Sequence, residues 1–416
     1  MKKLLVLAGK PIGSCEIVTY AKKQGAYVIV TDYLPKEMSA AKRLADECWD
    51  VSTADTEKLV QLVKEHHVDG IYTGVHEFNI RKMIEVCTEA GLPCFCTLDQ
   101  WDMLCDKRSF KELCRKFDIP VAAEYTVNKP EDIDAIGADK YPLIIKPADG
   151  SGSRGFSICR SAEDLHQAYA KAVEFSENGS VLVEKMMDYH KSAIINYTLV
   201  NGKAYFSGIS DKLSEKVFED GAPIMAAQFY PSLYEAEYLK TLDRKAKDMF
   251  EKSGLKNGVI WIEAFCDRGA FTFNEMGFRF GGSLTYLPVQ HFFGVDQLAL
   301  QIEYALNGSN AAPQISEEKC SNDVYCILPV HVKPGVIAKV EGLDILKQQE
   351  QLVNIVPVHF VGDKIENWGS AQQVFSYIHF KGESREQLDQ FAHFIMDTLK
   401  VYSDQGEQML FNLYCK

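Results

Sequence analysis

The chain has 416 residues, 46% hydrophobic and 25% charged, which is enough for two to four domains with real cores. Its formal net charge of −13 excludes a general nucleic-acid binder, which needs a basic face, so any anionic ligand must be caught by a local basic cluster. Twelve cysteines without a repeating framework, and no Cys/His pair beside Cys94 and Cys96 to complete a zinc site, read as reduced core thiols of a cytoplasmic protein.

The opening MKKLLVLAGKPIG has too short an apolar run for a signal peptide, and no segment approaches the roughly 20 apolar residues of a membrane span. Residues 1–98 then alternate strand and helix signals. KLLVLAG, YVIVTD, VDGIYTG and PCFC are apolar runs; SCEIVTYAKKQG and IRKMIEVCTEAG have helical spacing closed by glycine. Buried runs separated by helices predict a parallel sheet with crossover helices. Ligands of such sheets lie at the carboxyl ends of the strands, where Gly9, Gly13, Asp32, Gly74 and Glu77 fall. The turn from Gly9 to Gly13 is not a full G-x-G-x-x-G, so a tight turn for helix packing is a better reading than a dinucleotide site. Asp32 is either a ribose contact or an ordinary acid closing a strand.

From about residue 99 the pattern changes. WDMLCDKRSFKELCRKFDIP predicts one helix with a basic face, stopped before Pro120. Strands AEYTV and YPLIIKP follow, then the glycine-rich loop KPADGSGSRGFSIC with its strand FSIC, the helix SAEDLHQAYAKAVEF and the buried strand VLVEKMM. SAIINYTLVNGKAYFSGIS is a hairpin turning at Asn201 and Gly202. Two more strands, NGVIWIEAFCDRG and AFTFNEMGFRFGG, join through Arg268 and Gly269. From about 320, VYCILPVHV, NIVPVHFV and VFSYIHF with the closing helix REQLDQFAHFIMDTLKVY make a small, mostly β cap.

Three stretches carry chemistry. In the glycine-rich loop, bare backbone N–H groups and serine hydroxyls can ring an anionic phosphate, and Lys146 at the end of the preceding strand supplies fixed positive charge. The loop lacks the Gly-Lys-Ser/Thr of a Walker A motif and leads into a strand, so it is either a flap over phosphates or a solvated turn. Lys107 is a second cation on the upstream basic helix. Glu263 and Glu275 lie in apolar strands joined by a short turn; side by side they form an oxygen site for a hard cation such as Mg²⁺. Arg279 follows four residues later and can stabilise a transferring phosphoryl group. VLVEKMM, ending in Glu184 and Lys185, fits either an adenine pocket or an ordinary core strand.

In this order the pieces resemble the ATP-grasp superfamily over most of the chain: a leading α/β domain, a lysine-bearing helix, a strand lysine with a glycine-rich flap, a hinge strand, and two glutamates twelve positions apart with an arginine after them. The resemblance implies α/β and α+β architecture. A Rossmann-like pre-ATP-grasp domain would span 1–98. The ATP-grasp domain would span 99–318, with a nucleotide flap at 140–190 and a metal hairpin at 257–283, and a β-rich C-terminal cap 319–416. It further implies ATP with Mg²⁺ (or Mn²⁺). Lys107 and Lys146 would hold the phosphates under Ser151, Gly152, Ser153, Arg154 and Gly155. The backbones of Glu184, Lys185 and Met187 would take the adenine edge, and Glu263 and Glu275 the metal. Arg279 would steady the charge that develops when a carboxylate attacks the γ-phosphate and an amine displaces the resulting acyl phosphate. The implied function is an ADP-forming carboxylate–amine ligase, in the manner of L-amino-acid ligases, acting on small molecules, with homodimerisation an expectation. The alternatives are a phosphoribosylamine-type purine-pathway ligase or carboxylase, and a catalytically silent ATP-binding protein. His76, Glu77, Tyr286 and His291 are further candidates near substrate.

The sequence departs from the family at two places. Gly277 stands in E-M-G-F-R where E-x-N-x-R is usual. After the hinge, M-D-Y-H-K leaves Asp188 as the nearest acid for a ribose, with His190 or Lys191 where a glutamate is usual.

Overall fold

The computed structural model describes residues 1–10, 12–149, 155–219, 221–310 and 315–414. Leu4, Leu5, Val6 and Leu7 are wholly buried, as a strand covered on both faces requires. Their strand, Lys3–Leu7, lies between Tyr27–Thr31 and Gly70–Thr73, and Glu47–Trp49 completes a four-stranded parallel sheet. Glu47–Trp49 is too short and too polar to stand out in the sequence. PCFC, read there as a fourth apolar run, is irregular and leads into the Thr97 cap of the next helix.

At the carboxyl ends of this sheet the space is filled by the protein itself. Asp32 accepts hydrogen bonds from the Gly9 and Leu34 N–H groups and from Ser39 Oγ, and pairs with the fully buried Lys42 ammonium at 3.1 Å. A Cβ at Gly9 would lie 2.1 Å from Ser39 Oγ. The turn is therefore a packing turn, and Asp32 is a strut rather than a ribose contact.

The single helix predicted over WDMLCDKRSFKELCRKFDIP is two, Leu98–Cys105 and Lys107–Lys116. Asp106 has extended backbone geometry and its side chain accepts from the Ser109 N–H at 2.8 Å, capping the second helix. This cap aims the amino end of the second helix, with Lys107, at the cleft described below.

Two antiparallel sheets follow. The smaller orders Glu124–Tyr125, Val181–Lys185, Leu143–Pro147 and Ser157–Cys159, and the helix Ala162–Glu174 buries Leu165, Ala168 and Ala172 in the same core cluster. The larger has nine strands. It runs from Ala270–Gly277 through Gly258–Asp267, Ser192–Val200, Lys203–Glu215 and Ile224–Tyr230, then continues into Val324–Val332, Val374–Gly382 and Leu352–Pro357, with Leu410–Phe411 paired to Val324–Val332. The carboxyl-terminal strands thus extend the sheet that carries the glutamate hairpin. The closing helix, Arg385–Thr398, covers one face, and Lys400–Ser403 turns back as a strand of a separate three-stranded sheet. Among the described residues no helix is long and apolar enough to cross a membrane.

The Asp32–Lys42 strut gives a first test. Lys42→Met should leave a buried carboxylate without its cation and lower unfolding free energy by about 3–5 kcal/mol, measured by chemical denaturation. Adding Asp32→Asn should recover part of that loss; a single variant as stable as the parent would remove the strut from the account.

Candidate active site

A cleft of about 300 Å³ separates the two antiparallel sheets. Its polar lining includes Lys107 at the amino end of its helix, Lys146 on Leu143–Pro147, Lys212 on Lys203–Glu215, side chains of the facing strands Gly258–Asp267 and Ala270–Gly277, and Glu77 at the start of Glu77–Ala90. Lys107, Lys146, Glu263, Glu275 and Arg279, all singled out from sequence, converge here.

Glu263 and Glu275 are direct partners across the hairpin. The register then shifts, so that Ala264 faces Phe273 and Asn274 is an extra residue on its strand, a β-bulge. Burial along Ala270–Gly277 registers the same break. Phe271 and Phe273 are buried and Thr272 is not, but Asn274 and Glu275 are two consecutive partly exposed positions. The bulge turns both side chains into the cleft, where a regular strand would send one to the core.

Burial opposes ionisation of Glu275, yet the fields of Lys107, Lys146, Lys212 and Arg279 outweigh it and hold the carboxyl below the usual range. Glu263 pairs with Lys212 Nζ at 2.5 Å and accepts from Asn274 Nδ2 at 3.4 Å. Two opposed carboxylates on a cleft wall suit a hard divalent cation. Among the described residues no group of three His, Cys, Asp or Glu side chains gathers as a metal centre.

Lys146 is nearly buried. Its ammonium lies 2.8 Å from Glu184 Oε2 and donates to Asn274 Oδ1 at 3.3 Å. Burial pulls its pKa down to about 8, against the attraction of Glu275. The other oxygen of Glu184 meets Lys111, fully buried one helical turn after Lys107. Glu184 is thus a carboxylate clamped between two lysines, behind the cleft wall. Lys185 donates its N–H to Ala123 O and its ammonium to Lys140 O, so it too stands outside the lining, while Met186 and Met187 form part of it. Asp188 is exposed, accepts from the His190 N–H and pairs with Lys191, which also reaches Asp267.

Ser151, Gly152, Ser153 and Arg154 lie outside the described residues. Gly155 is described: its φ is +72° and a Cβ there would press on Pro147 and Phe175 at 2.8 and 2.9 Å, so only glycine folds the loop's end against the strand. Arg279 donates to Glu77 Oε1 and to Phe280 O, and its guanidinium lies 5.2 Å from the centre of the Trp261 ring. Tyr286 is buried against Phe280, and His291 is held by Asp323 and Ser321, so both pack rather than line the cleft; His76 does not line it either. The missing asparagine has a steric cause: a Cβ at Gly277 would lie 2.3–2.7 Å from the indole of Trp261.

Sequence reasoning missed Lys111, Lys212, Asn274 and Trp261. The spacing of four between Lys107 and Lys111 was a usable signal, since it puts both on one helix face. Lys212 had none, because only the sheet brings it opposite Glu263.

Comparison with known proteins bears on the same region. Residues 106–203 match the family model of the carbamoyl-phosphate synthase L chain, ATP binding domain. The formate-dependent phosphoribosylglycinamide formyltransferase of Bacillus subtilis (strain 168) is 23% identical over 283 residues, 67% of this chain and 71% of that protein. L-amino acid ligase from Bacillus licheniformis superposes with a TM-score of 0.77 at 17% identity, covering 97% of this chain and 99% of that one. The biotin carboxylase domain of Hydrogenobacter thermophilus 2-oxoglutarate carboxylase, solved with MgADP and bicarbonate, gives a TM-score of 0.78 at 18% identity, covering 98% and 91%. The chain thus has the fold of these ligase and carboxylase structures over nearly its whole length, with a segment similar to that ATP-binding domain at its centre.

Proposed function

We propose that the protein is an ATP-dependent, ADP-forming ligase that activates a small carboxylate as an acyl phosphate and joins it to an amine. The observation that carries this reading is the meeting of two in-register carboxylates, Glu263 and Glu275, with Lys107, Lys146 and Arg279 around one cleft. At the level of the family the cofactors are ATP and Mg²⁺.

Lys107 and Lys146 neutralise and orient the phosphates, while Met186, Met187, Ile144 and Ile158 offer an apolar slot for the base. Glu263 and Glu275 would hold a divalent cation, which would supply positive charge beside the phosphates. The substrate carboxylate attacks the γ-phosphorus, ADP leaves, and Arg279 stabilises negative charge on the acyl oxygen when the amine displaces phosphate. Glu77, paired with that guanidinium at 2.8 Å, fixes its direction.

A phosphoribosylamine substrate would call for a second phosphate pocket in the leading domain. There Ser39 and Asp32 fill the turn around Gly9, and the Lys10 ammonium is engaged by Asp363 at 2.8 Å. This crowding favours the carboxylate–amine reading.

Phosphate release should appear when the protein, ATP and Mg²⁺ meet the right pair in a screen of carboxylates and amines. A protein that binds ATP but releases no ADP with any pair would instead be a silent binder. Glu263→Ala and Glu275→Ala should each lower turnover by at least about 10²-fold without loss of fold; full activity in either would sink the cation assignment. Arg279→Ala should cost kcat about 10²–10³-fold and leave ADP affinity within about twofold, because Arg279 serves the acyl end; an equal loss of ADP binding would move it to the nucleotide end.

A further inference from the structure

Lys107, Lys111 and Arg115 stand at every fourth position of the helix Lys107–Lys116, which sets them in a row on one face. Each meets a different group. Lys107 lines the cleft. Lys111 is fully buried and meets Oε1 of Glu184, whose Oε2 lies 2.8 Å from the Lys146 ammonium. Arg115 meets Glu124, which lies directly across the sheet from Glu184 and 3.9 Å from Lys111. Lys111 and Glu184 form no part of the cleft lining, so they act on a ligand only through Lys146.

The charges of this buried set decide what Lys146 offers the cleft. Glu184 is 1% exposed, so water does little to screen its carboxylate. With Lys146 alone it would make a neutral pair, and a phosphate in the cleft would feel little net attraction. With Lys111 on its other oxygen, the three groups carry one net positive charge, and the member that reaches the cleft is the Lys146 ammonium. Glu124 leaves this balance intact because Arg115 pairs with it. We propose that Lys111 is a positioning residue of the phosphate site: by holding Glu184 from behind the cleft wall, it leaves the charge of Lys146 available to a phosphate that Lys111 does not touch. This rests on the ATP-dependent reading above. The charged and titratable groups facing the Lys111 ammonium are Glu184, Lys146, Glu124, Arg115, Glu275 and Cys114. Burial first, then the field of Lys146, pulls its pKa down to about 7, so its charge is complete in mild acid and fades above neutral pH.

The test is metal-free binding of ADP and of adenosine to the full-length protein by titration calorimetry at about pH 6, where Lys111 holds its proton. Lys111→Met should weaken ADP at least about tenfold and adenosine less than about twofold, because only ADP carries phosphate. Lys111→Met combined with Glu184→Gln removes both opposed charges and should return ADP affinity to within about threefold of the parent. Should the single variant fail to fold, the double variant still decides. Between about pH 6 and 7.5, below the range in which Lys146 titrates, the parent should lose about threefold in ADP affinity relative to the double variant, which has no Lys111 to deprotonate. Parent-like ADP affinity in Lys111→Met would overturn the proposal. So would an equal loss of adenosine binding, a double variant as weak as the single one, or parallel pH profiles of parent and double variant. If the parent binds ADP and only these variants disagree, the nucleotide reading stands and Lys111 is a packing residue. If the parent binds neither ADP nor adenosine, that reading fails and the proposal with it.

Discussion

The active cleft depends on one irregularity, the shift of register between Glu263 and Ala264. Up to Phe273 the strand Ala270–Gly277 alternates as a half-buried strand does, with aromatic rings inward. Continued alternation would carry Glu275 to the same side as Phe271 and Phe273, where burying a carboxylate without a partner is prohibitive. The bulge cancels that parity. It turns Glu275 toward Glu263 and the lysines and returns Met276 to a buried position.

Around that carboxylate pair the protein gathers positive charge against its own net charge of −13. Lys107, Lys146, Lys212 and Arg279 all bear on Glu275. Three of these cations already have a partner: Lys212 on Glu263, Lys146 on Glu184 and Asn274, Arg279 on Glu77. Glu184 extends this order behind the cleft wall by holding Lys111 and Lys146 together, which fixes the direction of the Lys146 stem. A polyanionic ligand entering the cleft meets cations that are preoriented, so little reorganisation opposes its binding.

Trp261 couples the hairpin to the far end of the cleft. Its ring lies under the Arg279 guanidinium and over Gly277, so one side chain both orients the arginine and dictates which neighbour has room for a side chain. Among the described residues the leading domain enters the site only through Glu77, at the start of its last helix, while Asp32, Ser39 and Lys42 are spent on holding its own loops.

Much of this was legible in the amino-acid order. The apolar runs of the parallel sheet, the strand ending in Lys146, the hairpin with Glu263 and Glu275, and Arg279 after it all follow from patterns a few residues long, because period, turn residues and charge are local properties of the chain. Other features depend on what meets across tens or hundreds of residues. Asp106 divides a helix because its side chain caps the second half. Lys111 and Glu184 are 73 positions apart and Lys212 and Glu263 are 51 apart, so each pair exists only once the sheets are assembled. Gly277 read as a missing ligand until the Trp261 ring supplied its cause. Local sequence determined which charged residues sit on which strand or helix. Long-range packing decided which carboxylates and amides face them, since burial and charge pairing are settled between strands rather than along them.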